Sequence, residues 1–343
     1  MQQNIEIASK PVIFSLQEKE NRAKVKKLEK QGKIQRIVDH YEEQREELRE
    51  IKKYSNGAKY GVWIYYPWNF SLVHTLAKKD FRQVRTARNQ NLITKQEQQK
   101  IQKATIGIAG LNVGNPAAIC LALEGFEKMK LADNDFLSLS NLNRFRAGVH
   151  QIGMNKTHLT AQQIYEINPF AELATLPEGI AQKTLDTFFL KPRIDILIEE
   201  MDNLKLKVFI REKARKYRIP VVMVTGNAEN VILDIERYDK NPGLPLLNGY
   251  LKKGILGKIH QIDSQKSTLQ EKVLLARDFI GSQYLTKRLR QSFLQVGSEL
   301  GGIPQIAEAS FMRGAILCYA IRQIVLGTKV RSGRYFINLD HIF

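Results

Sequence analysis

Cysteine is scarce: Cys120 and Cys318 are the two in 343 residues. Two thiols exclude a disulfide framework and a four-cysteine zinc site, since either needs more ligands than the chain has. Acidic residues are also short, at 35 Asp and Glu against 53 Lys and Arg, which leaves a formal charge of +18. Such an excess suits anionic partners (nucleic acid, nucleotide phosphates, an acidic protein), although a solvated basic surface gives the same number. Long uncharged apolar runs are missing. The most apolar C-terminal stretch, Ile303 to Leu326, carries Glu308, Arg313 and Arg322, so it reads as a buried helix rather than a membrane span. Met1 to Leu16 has no basic segment followed by a long apolar one, so no secretory signal is read there. These absences predict a soluble, cytoplasmic protein with no membrane partner.

What is present is enough for a core. Hydrophobic residues make up 43% and charged residues 26%, which excludes a wholly disordered chain. At roughly 150 residues per domain the length allows about two domains. No internal repeat or low-complexity tract is visible.

Residues 17–53 hold twelve Lys/Arg and nine Asp/Glu, interleaved, with one glycine and no proline. Pairs such as Glu42 with Arg45 predict one long, exposed, salt-bridged helix. Ser55-Asn56-Gly57 punctuates its end. Val62-Trp63-Ile64-Tyr65-Tyr66, halted by Pro67, reads as a core strand.

From Ala104 the character changes. Short β-rich runs at 104–109, 129–132, 194–198 and 221–224 alternate with helical stretches at about 115–124, 155–167 and 203–217. Alternation of this kind predicts βαβ units and a mostly parallel sheet flanked by helices. Residues 244–302 are basic and helical in pattern, an insertion or small subdomain. A final helix over 304–326 and a strand over 335–339 follow.

Gly110-Leu111-Asn112-Val113-Gly114-Asn115 joins the first of these strands to its helix. Such a turn lets backbone N–H groups approach phosphate. Asp133 ends the next strand, where an acid takes ribose hydroxyls in dinucleotide folds. The G-x-G-x-x-G spacing is not met, because Asn112 and Asn115 stand where the second and third glycines would be. Taken alone the turn is equally a plain βα connection.

The run after Asp133 adds specificity. It reads Asp133-Asn134-Asp135, then Ser140-Asn141-Leu142-Asn143-Arg144, Gly153-Met154-Asn155-Lys156, Asn168-Pro169 and Met201-Asp202-Asn203. This succession resembles the ThiF/MoeB/HesA family, E1-like enzymes that activate carboxylates by adenylation. The resemblance covers about 85–235 well and the last forty residues loosely. It implies a Rossmann-like E1/ThiF fold, with 1–84 an N-terminal helical and aromatic extension, and 85–343 an adenylation domain with its insertion at about 244–302.

Carried over residue by residue, the resemblance implies that Gly110, Asn112 and Gly114 line the nucleotide turn. Asp133 holds the ribose, with Asp135 in the same nucleotide-binding run. Asn141, Arg144 and Lys156 face phosphates, and Asp202 holds Mg²⁺ near the α-phosphate. Arg88 matches an arginine that reaches into the partner subunit's site, which implies a homodimer. The cofactors implied are ATP and Mg²⁺, with no structural zinc because the C-x-x-C pairs are absent. The substrate implied is the C-terminal carboxylate of a ubiquitin-like protein or peptide, and the charge keeps tRNA open. Phe145 replaces the usual Gln after the arginine, and no cysteine lies just after Val224, where thioester-forming members carry one. The Gly110–Gly114 and Arg144–Gly148 variants look like a bacterial subgroup found beside nitroreductase-like domains. Two other readings stand beside adenylation: a degenerate E1-like binding or scaffold protein, and an NAD-dependent oxidoreductase, which has no use for the Ser140–Arg144 and Gly153–Lys156 runs.

Overall fold

The computed structural model describes residues 10–52, 60–262 and 266–339; the expected stop at Ser55-Asn56-Gly57 lies outside them. In the N-terminal part, where one long helix is expected, there are two. Helices α1 (Lys19–Lys30) and α2 (Tyr41–Lys52) flank strand β2 (Arg36–Asp39). The break falls at the segment's one glycine: Gly32 takes φ +65°, a left-handed conformation that ends helices and that glycine adopts without a side-chain clash. The β-branched pair Ile37-Val38 then pairs with strand β4 (Ser71–Thr75). Strands β1 (Val12–Phe14) and β3 (Val62–Tyr66) complete a four-stranded sheet of order β1-β3-β4-β2. The aromatic strand expected at 62–66 is β3. Its Tyr66 hydroxyl donates to the Tyr165 carbonyl, and Trp68 Nε1 donates to Glu166 at 2.6 Å, so this sheet is fastened to the rest of the chain.

Helices α3 (Lys78–Arg85) and α4 (Lys95–Lys103) lead into a seven-stranded sheet. Its strands are β5 (Thr105–Ala109), β6 (Lys128–Ala132), β7 (Glu172–Leu176), β8 (Ile196–Glu199), β9 (Val221–Asn227), β10 (Asn230–Glu236) and β11 (Gly333–Ile337). The order is β11-β10-β9-β8-β5-β6-β7. Strands β5 to β9 run parallel, while β10 and β11 are antiparallel additions. Helices α5 (Gly114–Glu124), α6 (Lys156–Ile167), α7 (Leu185–Leu190) and α8 (Leu204–Tyr217) connect the parallel strands. The core includes Ile106, Ile108, Leu121, Ile198 and Ile321, each 0% exposed.

The region 244–302 is helical, as expected, with α9 (Ile255–Gln261), α10 (Leu269–Ile280) and α11 (Lys287–Gln295). Its Ile255, Ile259 and Phe279 pack with Val208 and Met223, and Leu289 and Phe293 pack with Ile232. Helix α12 (Ala307–Leu326) is, among the described residues, the one helix long and apolar enough to cross a membrane. It packs on α5 and β9 instead, burying Leu317, Cys318 and Ile321.

Candidate functional site

Strand order places the site. From β5 the chain builds outward through β6 and β7, then returns to lay β8 and β9 on the other side of β5. The crevice at the carboxyl ends of β5 and β8 is therefore a topological switch point, where open α/β sheets bind ligands. Gly110 follows β5 there. It takes φ +89°, and a Cβ on it would lie 2.4 Å from the Glu200 carbonyl oxygen beyond β8. Only glycine fits both the turn and the approach.

Asp133, after β6, ties the turns together. One carboxylate oxygen accepts Leu111 N–H at 2.6 Å and the other accepts Asp135 N–H at 2.7 Å. Burial raises its pKa, and these two N–H donors together with Lys156 oppose the rise. Asn112 leaves its Oδ1 buried without a partner. Gly114 opens α5 with no room for a Cβ, which would come 2.7 Å from Ile108. Asn115 serves packing, its Nδ2 donating to Thr160 and Gln163 of α6 at 3.0 and 2.8 Å.

Lys156 is only 3% exposed. Its Nζ meets Asp135 Oδ2 at 3.1 Å, which excludes a solvated surface charge. Asn155 caps α6 by accepting Thr157 N–H at 2.9 Å, which places Lys156 at the first helical position. Asn141 is buried, and its Oδ1 accepts Ser138 N–H at 3.2 Å, so one face of that amide holds its own loop. Arg144 donates to Ser140 O and Asn143 Oδ1 at 3.1 and 2.8 Å and keeps Nε buried and unpartnered. Burial lowers the pKa of its guanidinium, and nearby Asp202 works against that.

Asp202 is not a helix cap. The cap of α8 is Asn203, whose Oδ1 accepts Leu206 N–H at 3.1 Å. Asp202 makes no hydrogen bond or ion pair among the described residues. Its surface is open to solvent inside a concave site, yet protein surrounds it on most sides. That confinement raises its pKa; Lys207 and Lys156 oppose the rise, and Asp135 and Glu199 add to it. Asp202 thus lies within electrostatic reach of Arg144, Lys156 and Asp135 at the crevice. A lone free carboxylate fits Mg²⁺, which is commonly held by one or two carboxylates plus substrate phosphates. Among the described residues no cluster of three or more His, Cys, Asp or Glu forms a metal site.

Arg88 is elsewhere. It is exposed, and its neighbour Asn89 donates to the Glu124 carbonyl at 3.1 Å, at the far end of α5. At about 1.5 Å per residue, that end is about 15 Å from Gly114. Arg82 and Arg85 are structural: Arg82 grips buried Glu127, and Arg85 donates to the Ala122 carbonyl at 2.8 Å. Cys318 is buried and Cys120 half-buried, on two helices that pack together.

Residues of the sequence that had shown no functional pattern build the rest. A cavity of about 150 Å³ opens between Val113 and Asp202 and runs under α10 and α11, past Lys207, Met223, Phe279 and Arg313. Behind it lies a buried charge network. Glu199 accepts Lys207 Nζ at 3.1 Å on each oxygen and also pairs with Arg211, which donates to Glu236 at 2.8 Å. Tyr238 donates its hydroxyl to Glu236 at 2.5 Å. Burial pushes the Glu200 carboxyl up to about 8. Periodicity gives these residues to a surface helix and a strand end; only the three-dimensional approach of α8, β8 and β10 pairs their charges.

The ThiF family model matches residues 85–230. Residues 85–230 belong to the ThiF family. Protein MT1398 of Mycobacterium tuberculosis is 35% identical over 279 residues, 81% of this chain. The chain spans 38% of that relative's length. The tRNA threonylcarbamoyladenosine dehydratase of Bacillus subtilis is 27% identical over 192 residues, 53% of this chain and 75% of that one. The sulfur carrier protein ThiS adenylyltransferase of Escherichia coli is 28% identical over 131 residues, 38% of this chain and 51% of that one. The crystal structure of PaaA superposes with a TM-score of 0.52 at 19% identity, covering 76% of this chain and 77% of PaaA. The fold of the ThiF region is E1-like.

Proposed function

We propose that the ThiF domain adenylates a carboxylate, the C-terminus of a ubiquitin-like protein or peptide, using ATP and Mg²⁺. A substrate carboxylate oxygen attacks the α-phosphorus. The bond from that phosphorus to the bridging β-phosphate oxygen breaks, and pyrophosphate leaves with the electron pair. No proton moves, because the attacking group is already ionised. The single observation that carries this reading is Asp202, unpaired at the switch-point crevice and within electrostatic reach of Lys156 and Arg144.

The difficulty of the reaction is meeting of anions, so catalysis is charge placement. The Gly110–Gly114 turn and the start of α5 receive phosphates. Asp133, anchored by Leu111 and Asp135, has lone pairs left for ribose hydroxyls. Lys156 and Arg144 supply positive charge from a partly desolvated site, where it acts more strongly than in water. Asp202 would hold Mg²⁺, which supplies charge neutralisation at the phosphates. The ThiS adenylyltransferase among the relatives supports this chemistry. We include in the proposal a homodimer in which Arg88 of the partner subunit completes each site, a role its distance from its own crevice allows. The test is ATP–pyrophosphate exchange with carboxyl-terminal peptides of candidate acceptors. Exchange that depends on both peptide and Mg²⁺ is expected; a protein that binds ATP but exchanges with no free carboxylate contradicts the reading.

A further inference from the structure

The cavity beside Asp202 is larger than a metal and a phosphate edge require, and its lining is specific. Its floor is apolar, with Met223 from β9, Phe279 from α10, Phe293 from α11 and Ile303 from the segment before α12. A cavity of about 150 Å³ with such walls is the size that takes up benzene. Two polar groups on its wall lack partners. Arg313 is 4% exposed and spends Nε on the Ala309 carbonyl at 3.1 Å. Its terminal nitrogens find no hydrogen-bond acceptor among the described residues. Gln305 lines the same space and keeps Oε1 buried and unpartnered. Arg313 lines the cavity, and a guanidinium with unused terminal donors matches a carboxylate in charge and geometry. The neighbouring Glu200 spends a carboxyl oxygen on the Val224 N–H at 2.7 Å and forms no ion pair with Arg313 among the described residues.

We propose that this cavity takes the terminal residue of the carboxylate substrate, with Arg313 pairing with the carboxylate, Gln305 accepting its peptide N–H, and the apolar floor holding a side chain of about leucine size. This rests on the adenylation reading. It assigns the insertion a task, selection of an acceptor that ends in a large apolar residue rather than glycine. Val113 and Asp202 at the mouth join the cavity to the glycine turn, so a carboxylate held by Arg313 faces the α-phosphate side.

The experiment is calorimetric titration of the full chain with N-acetyl-leucine, N-acetylglycine and N-acetyl-leucinamide, and separately with ATP. N-acetyl-leucine is expected to bind at least about tenfold tighter than N-acetylglycine, the usual reach of an apolar pocket, and the uncharged amide is expected to lose binding to a similar degree. Ala276→Phe, which fills the cavity from α10, should weaken N-acetyl-leucine at least about tenfold and leave ATP affinity as it was. Arg313→Gln should weaken the acid but not the amide, with its melting curve checking that it folds. Equal affinity for the leucine and glycine acids, no binding by any of the three, or an unaffected Ala276→Phe protein overturns the proposal. ATP that fails to bind while N-acetyl-leucine is selected removes adenylation and leaves the cavity's preference standing.

Discussion

Asn203 caps α8, and its neighbour Asp202 is therefore free. Asn203 Oδ1 accepts the Leu206 N–H at 3.1 Å, the task that a carboxylate just before a helix would otherwise take. The chain thus has two short polar residues at the end of β8 and divides the work: one satisfies the backbone, and the other points its charge at the crevice. Asp202 stays open to solvent there, a carboxylate free to meet a cation.

Replacing Asp202 with Asn should keep the fold and most of the ATP affinity. It should cut pyrophosphate exchange by at least about a hundredfold, because metal placement acts mainly in the transition state. Exchange kinetics beside ATP titration separate the two effects. An unchanged exchange rate would remove Asp202 from the chemistry.

Glu200 should make stability depend on pH. Its folded pKa is about 8 against an ordinary 4.5, so between those values the folded chain holds a proton that the unfolded chain has released. Stability from this group therefore falls as pH rises across that window, with a slope of at most about 1.4 kcal/mol per pH unit. Glu200→Gln still offers Val224 N–H an acceptor and has no such titration. Urea unfolding at several pH values should give the variant a flatter profile between pH of about 5 and 8. Parallel profiles would show that Glu200 is ionised in the folded protein.

Arg211 is the hub of the buried charges. Burial alone would lower its pKa, but Glu199 and Glu236 raise it far above the usual arginine value. Arg211→Met leaves Glu236 without a cation and Glu199 with Lys207 alone. Removing one partner from a buried ionic cluster costs about 3–5 kcal/mol. A denaturant midpoint within error of the wild type would mean that water reaches these carboxylates.

Much of this is legible in the sequence, for physical reasons that vary by element. β5 and β6 are short apolar runs ended by glycine or acid, and both stand within one residue of expectation. β10 is not anticipated, although Asn230–Glu236 is wholly buried, because a strand that simply reverses from β9 carries no helix to announce it. β11 is expected at 335–339 and lies at Gly333–Ile337, where its register with β10 fixes it. The split of the 17–53 helix turns on Gly32 alone. Asp202, Lys156 and Arg144 stand out by their order in a family pattern, not by local chemistry. Arg313 and Gln305 have no such order; each gains meaning only from the partner it lacks in three dimensions.

The last expectation concerns Arg88. It sits on the far side of α5 from its own crevice, exposed, while the neighbouring Arg82 and Arg85 are tied to Glu127 and to the end of α5. A cation left free on a fixed segment can serve a second copy across a two-fold axis, the commonest symmetry on offer. An arginine supplied in trans is worth about three to five powers of ten in rate in phosphoryl chemistry. Arg88→Ala and Asp202→Asn homodimers should each be nearly inactive in pyrophosphate exchange. Mixed, they should regain activity, because a heterodimer carries one crevice with wild-type Asp202 facing wild-type Arg88 and one with neither. Activity that stays absent while native mass spectrometry shows the heterodimer, or a chain that is monomeric under assay conditions, would leave Arg88 a plain surface charge.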